Sequence, residues 1–143
     1  MKVIGYNIKK VHAEKSRDLK PGGKIDTSIE FLDIKKESVE LLKDHEALNF
    51  SFKFSVDYEE AESKREPLVG QVLMEGELVV SVDKEEAKEI MKFWKKKQLP
   101  EMIKSNLYNF IFRRCTPRAI QLQDEVKLTS PFIKIPQLAR RNE

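Results

Sequence analysis

Between Leu48 and Tyr58 the chain alternates without a break. Leu48, Phe50, Phe52, Phe54, Val56 and Tyr58 are apolar, and Asn49, Ser51, Lys53, Ser55 and Asp57 between them are polar. Successive side chains of a strand point to opposite faces, so six apolar residues at period two predict a strand with one buried face. Three phenylalanines make that face wide. Every other element is expected either to pair with this strand or to cover it.

Three further strands are predicted. The first runs from Val3 to about Glu14, with Ile4, Tyr6 and Ile8 on one face and Val3 and Val11 on the other. Lys20-Pro21-Gly22-Gly23-Lys24 then reads as a turn, since proline pre-sets the first bend and glycine accepts positive φ. With KSRDL before it, the whole connection is longer than a tight hairpin. The second strand covers Lys24 to about Ile34. Ile25, Thr27, Ile29 and Phe31 alternate, after which Leu32 and Ile34 take the opposite phase, the signature of a β-bulge or of apolar neighbours on both faces. The connector KKESVELLKDHEA carries Val39, Leu41 and Leu42 and suits either a helical turn or an extended segment. Beyond the aromatic strand, EEAESKRE is a charged hairpin loop. The fourth strand, Pro67 to Val82, holds Val72, Met74, Leu78, Val80 and Val82 in one phase, together with Gly70 and Gly76. A mid-strand glycine marks a bulge, a bend or the close approach of another backbone.

Two helices follow. Asp83 is a helix cap and Glu86, three residues on, completes a box of capping type. Ala87, Ile90, Met91 and Trp94 form a stripe at i, i+3, i+4, i+7, and Lys95 to Lys97 suit the negative C-terminal end. Pro100 is placed to open a second helix, which is expected to end near Thr116 because Pro117 disfavours helical geometry at the residue before it. That helix is apolar over more than half its circumference: Ile103, Leu107, Phe110 and Ile111 on one side, Tyr108, Phe112 and Cys115 beside them. It is predicted to lie between two layers or to present a face to a partner. Ala119, Ile120 and Leu122 read as a short extended segment, and the proline-spaced end, with Phe132, Ile133, Ile135 and Leu138, as a tail that docks in part and frays at its tip. The fold class is therefore α+β: a four-stranded antiparallel sheet followed by two helices packed on one face. A single domain spans 1–143, with strands over about 2–82, helices over about 84–116 and an extended tail over 117–143.

Composition narrows the function classes. No apolar run approaches the ~20 residues that cross a bilayer, and the alternating, charged N-terminus reads as neither a signal peptide nor an anchor. Cytoplasmic location is expected. One cysteine excludes an internal disulfide and any cysteine-based zinc site, and with only His12 and His45 besides, no metal or other cofactor is expected. Charged residues make up 36% of the chain, and their Lys/Glu richness resembles hyperthermophile composition. A net charge of +3 is too small to argue for nucleic-acid binding. The clusters Lys95–Lys97, Arg113-Arg114 and Arg140-Arg141 keep RNA binding open as an alternative, with solvated faces as the plain one. No P-loop, dinucleotide fingerprint, Ser-His-Asp or Cys-His arrangement occurs, Cys115 sits in the most apolar helix, and no enzyme is expected. What remains unexplained is surplus apolar surface. Self-association is the simple explanation, and a groove for extended apolar polypeptide the sharper one.

At this point the chain resembles the SecB family of export chaperones. Four antiparallel strands precede two helices. VGQVLMEGELVV leads into a helix, Leu99-Pro100 opens the apolar second helix, FRRCTP closes it, IQLQ stands where the family has a short extended run, and SPF, Ser130 to Phe132, resembles its Pro-x-Phe segment. The N-terminal half matches in strand pattern only. The resemblance implies an ATP-independent holdase, assembled as a homodimer or homotetramer, whose clients are unfolded or nascent polypeptides held in apolar grooves, with a link to protein export. By position it implies Phe31, Leu32, Ile34, Leu41, Leu42, Tyr108 and Phe112 as polypeptide-binding residues and Ile4, Tyr6, Ile90 and Trp94 as oligomer contacts. Ordinary core packing is the competing role for each. Export chaperones of this family are typically acidic and dock a translocation ATPase through an acidic sheet surface. This chain is basic, so general client holding, or service to a toxin–antitoxin pair, fits as well as export. A non-enzymatic oligomeric adaptor is the remaining alternative.

Overall fold

The computed structural model describes residues 1–20, 22–37, 44–60 and 68–130. Four long strands come first, β1 (Lys2–Lys15), β2 (Lys24–Glu37), β3 (His45–Glu59) and β4 (Leu68–Asp83), followed by helices α1 (Lys84–Trp94) and α2 (Glu101–Glu125). The sheet is antiparallel throughout, in the order β1-β4-β3-β2. The two central strands are thus the aromatic β3 and its neighbour β4. All six alternating apolar residues of β3, and Val72, Met74, Leu78, Val80 and Val82 of β4, have no exposed surface. Each fully buried side chain of this size contributes about 1.5–3 kcal/mol of hydrophobic stabilisation.

β1 and β2 lie on opposite edges, so the segment between them crosses the end of the sheet instead of forming a hairpin, in a Greek-key order. Its path is tied down at both central strands. Ser16 donates through N–H and Oγ to the Val69 carbonyl, at 2.8 and 3.1 Å. Arg17 reaches Glu60 at 2.7 Å and Lys20 the same carboxylate at 3.6 Å. Arg17 in particular holds Glu60 below the usual carboxylate range. The turn read from sequence closes the crossing: the Gly23 N–H donates to the Lys20 carbonyl at 3.1 Å, and Gly22 takes φ +88°, the positive value that a type II turn requires at its third residue.

Bulges set which residues face the helices. In β1 the register shifts between Val3 and Gly5 and again between Ile8 and Lys10. Directly paired residues share a face, and Val3, Tyr6, Ile8 and Val11 pair with Val80, Leu78, Gly76 and Met74. Val3 and Val11 therefore share the face of Tyr6 and Ile8, against the uninterrupted alternation expected from sequence, while Ile4 is the extra residue and is 44% exposed. The second of these bulges lies at Gly76. A Cβ there would run into the Asn7 carbonyl and stand 3.1 Å from Ile8 Cα, so the glycine marks the close backbone approach that a mid-strand glycine predicts. In β2 the register shifts between Phe31 and Asp33, so of the two readings that the phase switch left open the structure takes the bulge. It makes Leu32 the odd residue and turns both Phe31 and Ile34 toward the helices.

α1 matches its predicted cap and face. The Asp83 carboxylate accepts from the Glu86 N–H at 2.7 Å, and the Glu86 carboxylate turns toward the Met1 amino group, 3.9 Å away. Ala87 and Ile90 are buried, and Met91 and Trp94 pack beside them. Pro100 stands just before α2, at its N-cap.

The expectation of a helix ending at Thr116 is overturned. α2 continues through Pro117 to Glu125, so Ala119, Ile120 and Leu122 are helical and not extended. Leu107, Ile111, Cys115, Ala119 and Gln123 form one unbroken buried line at steps of four. Packing of that line on β3 and β4 outweighs the bond that proline deletes at the Arg113 carbonyl. The Thr116 hydroxyl donates to the Phe112 carbonyl at 2.5 Å in the same turn. Past Glu125, Lys127 adopts φ +59°, Lys127 N–H donates to the Asp124 carbonyl, and Leu128 N–H to that of Gln123. This is a Schellman-type ending with Leu128 as its apolar residue.

Two measurements test this account. Pro117→Ala is expected to raise unfolding free energy by about 2–2.5 kcal/mol, the helix-interior cost of proline less its entropic benefit, read from denaturant midpoints; unchanged or lowered stability would mean the proline is not a strained interruption. Buried Tyr58 donates to the Thr129 carbonyl, and burial is the main cause that pushes its phenol up to about 12, against a small opposing contribution from Gln123. A raised pKa favours the neutral form in the fold. Its stabilisation is therefore complete below pH ~10, where the unfolded phenol is also neutral, and falls as pH rises toward about 12. Tyr58→Phe is expected to remove part of that alkaline loss in pH-dependent melts.

Candidate functional site

The β2 edge is where the helical layer stops short. α1 ends in a second Schellman-type turn: Lys97 takes φ +57°, its N–H donates to the Trp94 carbonyl at 2.8 Å, and the Gln98 N–H to that of Phe93 at 3.2 Å. The chain then passes through Leu99 and Pro100 into α2. This turn, the first two turns of α2 and the bulged middle of β2 enclose a cleft of about 910 Å³. Its apolar walls are Ile29, Phe31, Trp94, Leu99, Pro100 and Tyr108; Glu30, Lys97, Glu101 and Lys104 also line it.

Phe31 joins the cleft to the core. Its ring stacks on Tyr108, with centroids 5.5 Å apart and planes 18° from parallel, and meets Phe50 edge-on at 5.6 Å. Such pairs add about 0.5–1.5 kcal/mol to their burial. Lys104 Nζ lies 5.6 Å from the Tyr108 ring centre and Lys97 Nζ 4.6 Å from that of Trp94, so two cations sit against the aromatic walls. One turn beyond Tyr108, Phe112 leans on Phe54 at 6.5 Å and is 41% exposed. The arrangement is an apolar, aromatic slot with mixed charge along it, open beside an edge strand. It suits an apolar side chain on an extended backbone.

Three of the polypeptide-binding residues implied by the resemblance, Phe31, Leu32 and Tyr108, meet in this cleft, and Phe112 extends their line along α2. Ile34 does not join them, because the β2 bulge turns it into the core beside Phe50. Leu41 and Leu42 lie outside the described residues. Of the implied oligomer contacts, Ile4 is the exposed bulge residue of β1. Trp94 lines the cleft. Ile90 is wholly buried on the core face of α1 and has no surface to offer a second copy. Leu99, Pro100, Lys97 and Lys104 were not anticipated as cleft residues. The only signal for them was an apolar Leu-Pro pair between two helices, read as a helix start.

Tyr6 lies on the other flank of α2. It stacks on Phe52 at 6.0 Å, meets Phe110 edge-on at 5.8 Å and has the Arg114 guanidinium 5.5 Å from its ring centre. Its hydroxyl is 3.5 Å from Cys115 Sγ. Burial pushes both the Tyr6 phenol and the Cys115 thiol up, so the thiol stays protonated and is no nucleophile at neutral pH. Among the described residues, no group of three or more His, Cys, Asp or Glu is placed to hold a metal ion. No helix among them is long and apolar enough to cross a membrane.

No protein-family model matches the chain, and no curated protein matches it. Among solved structures, the fold is similar to that of the Mycobacterium tuberculosis Rv1957 SecB-like chaperone, in complex with a ChAD peptide from the Rv1956 HigA1 antitoxin. The TM-score is 0.53 at 12% identity, over 95% of this chain and 90% of that one. At that identity the likeness speaks for the fold alone: a four-stranded antiparallel sheet followed by two helices, of SecB-like type.

Proposed function

We propose that this protein is a holdase chaperone, not an enzyme, and that it binds non-native polypeptide without ATP in the cleft between α2 and β2. The observation that carries this reading is the stacked Phe31–Tyr108 pair beside an open apolar slot at the sheet edge. The SecB-like neighbour, a chaperone bound to a peptide, supports polypeptide as the ligand class. An extended client would lay alternate apolar side chains into the slot and over Phe112. General client holding, or care of a toxin–antitoxin pair, suits a chain of net charge +3 better than docking to a translocation ATPase. We further propose a homodimer or homotetramer joined at the β1 edge, where Ile4 and Val11 are exposed.

The test uses a labelled, permanently unfolded protein as client. Leu32→Asp and Phe112→Asp are each expected to weaken its binding at least tenfold, with the thermal melt and the solution mass unchanged. Suppression of client aggregation in light scattering should fall in parallel. A well-folded native protein that suppresses no aggregation would overturn the chaperone reading. If the mass falls instead, these residues are self-association contacts. Ile4→Asp is expected to lower the mass measured by sedimentation and leave the client site intact; an unaltered mass would remove the β1 edge as the contact.

A further inference from the structure

The turn that joins α1 to α2 carries more charge and more exposed apolar surface than a helix connection needs. Residues 92–102 read KFWKKKQLPEM, with Glu101 the single acidic residue. Lys92, Lys95, Lys96 and Lys97 are exposed, and none has a carboxylate partner among the described residues. All three glutamates of α1, Glu85, Glu86 and Glu89, lie in its first two turns, away from this end. A helix C-terminus favours cations, but that preference does not explain the apolar side chains beside them. Met102 is 78% exposed and Phe93 37%. Phe93 and Glu101 line the same cleft, so Met102, next to Glu101, belongs to the same corner of the molecule.

The corner has a defined shape. The Phe93 carbonyl accepts from the N–H groups of Lys96 and Gln98, at 3.1 and 3.2 Å. Lys97 holds the left-handed position that glycine usually fills after a helix, so the chain keeps a cation there against the backbone preference. Three partners could meet such a surface. A nucleic acid would stack bases on open aromatic faces, but Tyr108 is stacked on Phe31 and Trp94 lies under the Lys97 ammonium. A second copy in a two-fold contact would set four lysines against the same four. An anionic bilayer surface accepts both halves of the patch, the lysines at its headgroups and the apolar pair below them.

We propose that the α1–α2 turn docks this protein on an anionic phospholipid surface, with Lys92, Lys95, Lys96 and Lys97 at the headgroups and Phe93 and Met102 in the headgroup–acyl boundary. The inference does not rest on the client-binding reading above. A lysine near such a surface strengthens binding about fivefold. Four of them give half-binding near ~1 mM lipid, and Phe93 and Met102 add to that. The attraction is screened by salt, because the Debye length falls below about 10 Å above 0.1 M.

The test is co-sedimentation of the full chain with vesicles of phosphatidylcholine, with and without about 30% phosphatidylserine. Binding is expected to be at least tenfold stronger to the anionic vesicles. Lys95→Gln/Lys96→Gln should weaken it about 25-fold, and Met102→Asp at least fivefold. Lys2→Gln/Lys10→Gln, which removes the same charge from β1, should change it less than twofold. Trp94 is the only tryptophan of the chain and sits at this turn, so brominated acyl chains should quench the emission of bound protein. Equal binding to both vesicle types, equal loss from the β1 variant, or unquenched emission in bound protein would each overturn the proposal. So would tighter binding to a single-stranded RNA at the same salt that the Lys95/Lys96 variant abolishes, since the turn would then serve nucleic acid. Both turn variants should keep the native melt and the affinity for the labelled unfolded protein. A native chain that binds the unfolded protein but no vesicle would overturn the docking and leave the chaperone reading standing. Vesicle binding without client binding would do the reverse.

Discussion

Two helices cannot cover a four-stranded sheet evenly, and the rest of the molecule depends on how that shortage is met. Strand spacing of ~4.8 Å puts the outer strands about 14 Å apart, before their side chains are counted. Both helices pack chiefly on the central strands β3 and β4. Those strands carry the apolar residues with no exposed surface, including Phe50, Phe52, Phe54 and Leu78. The edge strands receive partial cover. Along β1 this leaves Ile4 and Val11 in solvent, and along β2 it leaves a cleft walled by Phe31, Trp94 and Tyr108. The candidate site is thus the place where core material runs out of helix to cover it.

Bulges convert this coarse arrangement into particular side-chain positions. Each shift of register moves the residues after it to the other face. In β2 the bulge at Leu32 sends Phe31 to the cleft and Ile34 to the core. In β1 two bulges gather Val3, Tyr6, Ile8 and Val11 on the helical side and release Ile4. Bulged, charged edges are also poor templates for uncontrolled strand addition. That property suits a protein whose edge strand borders an exposed apolar slot.

Legibility followed the strength of the local pattern. Six alternating apolar residues in β3 had one physical solution, and the structure adopts it. The phase switch in β2 announced its bulge because Ile25 to Phe31 set a clear period to depart from. In β1 no comparable signal existed. A bulge after Val3 and another after Ile8 are set by the fit against Val79 and Gly76 of the neighbouring strand, which the local sequence does not report. Pro117 misled for a related reason. Its local preference is to end a helix, yet the line Leu107, Ile111, Cys115, Ala119 and Gln123 gains enough from burial to carry the helix past it. The cleft was half legible. Phe31, Leu32 and Tyr108 came from resemblance, while Leu99, Pro100, Lys97 and Lys104 became site residues only because the end of α1 turns back over β2.

By itself the sequence determined the element order, the antiparallel α+β class, the buried face of β3 and β4, and the Asp83 cap. These follow from period, capping chemistry and turn residues, all of which act over a few neighbours along the chain. The tertiary structure alone decided that β1 and β2 lie on opposite edges, that α2 runs through its proline, and that Trp94 and the stacked Phe31–Tyr108 pair line one open slot. These depend on which surfaces compete for the same cover, a sum over residues far apart in sequence that local pattern does not contain.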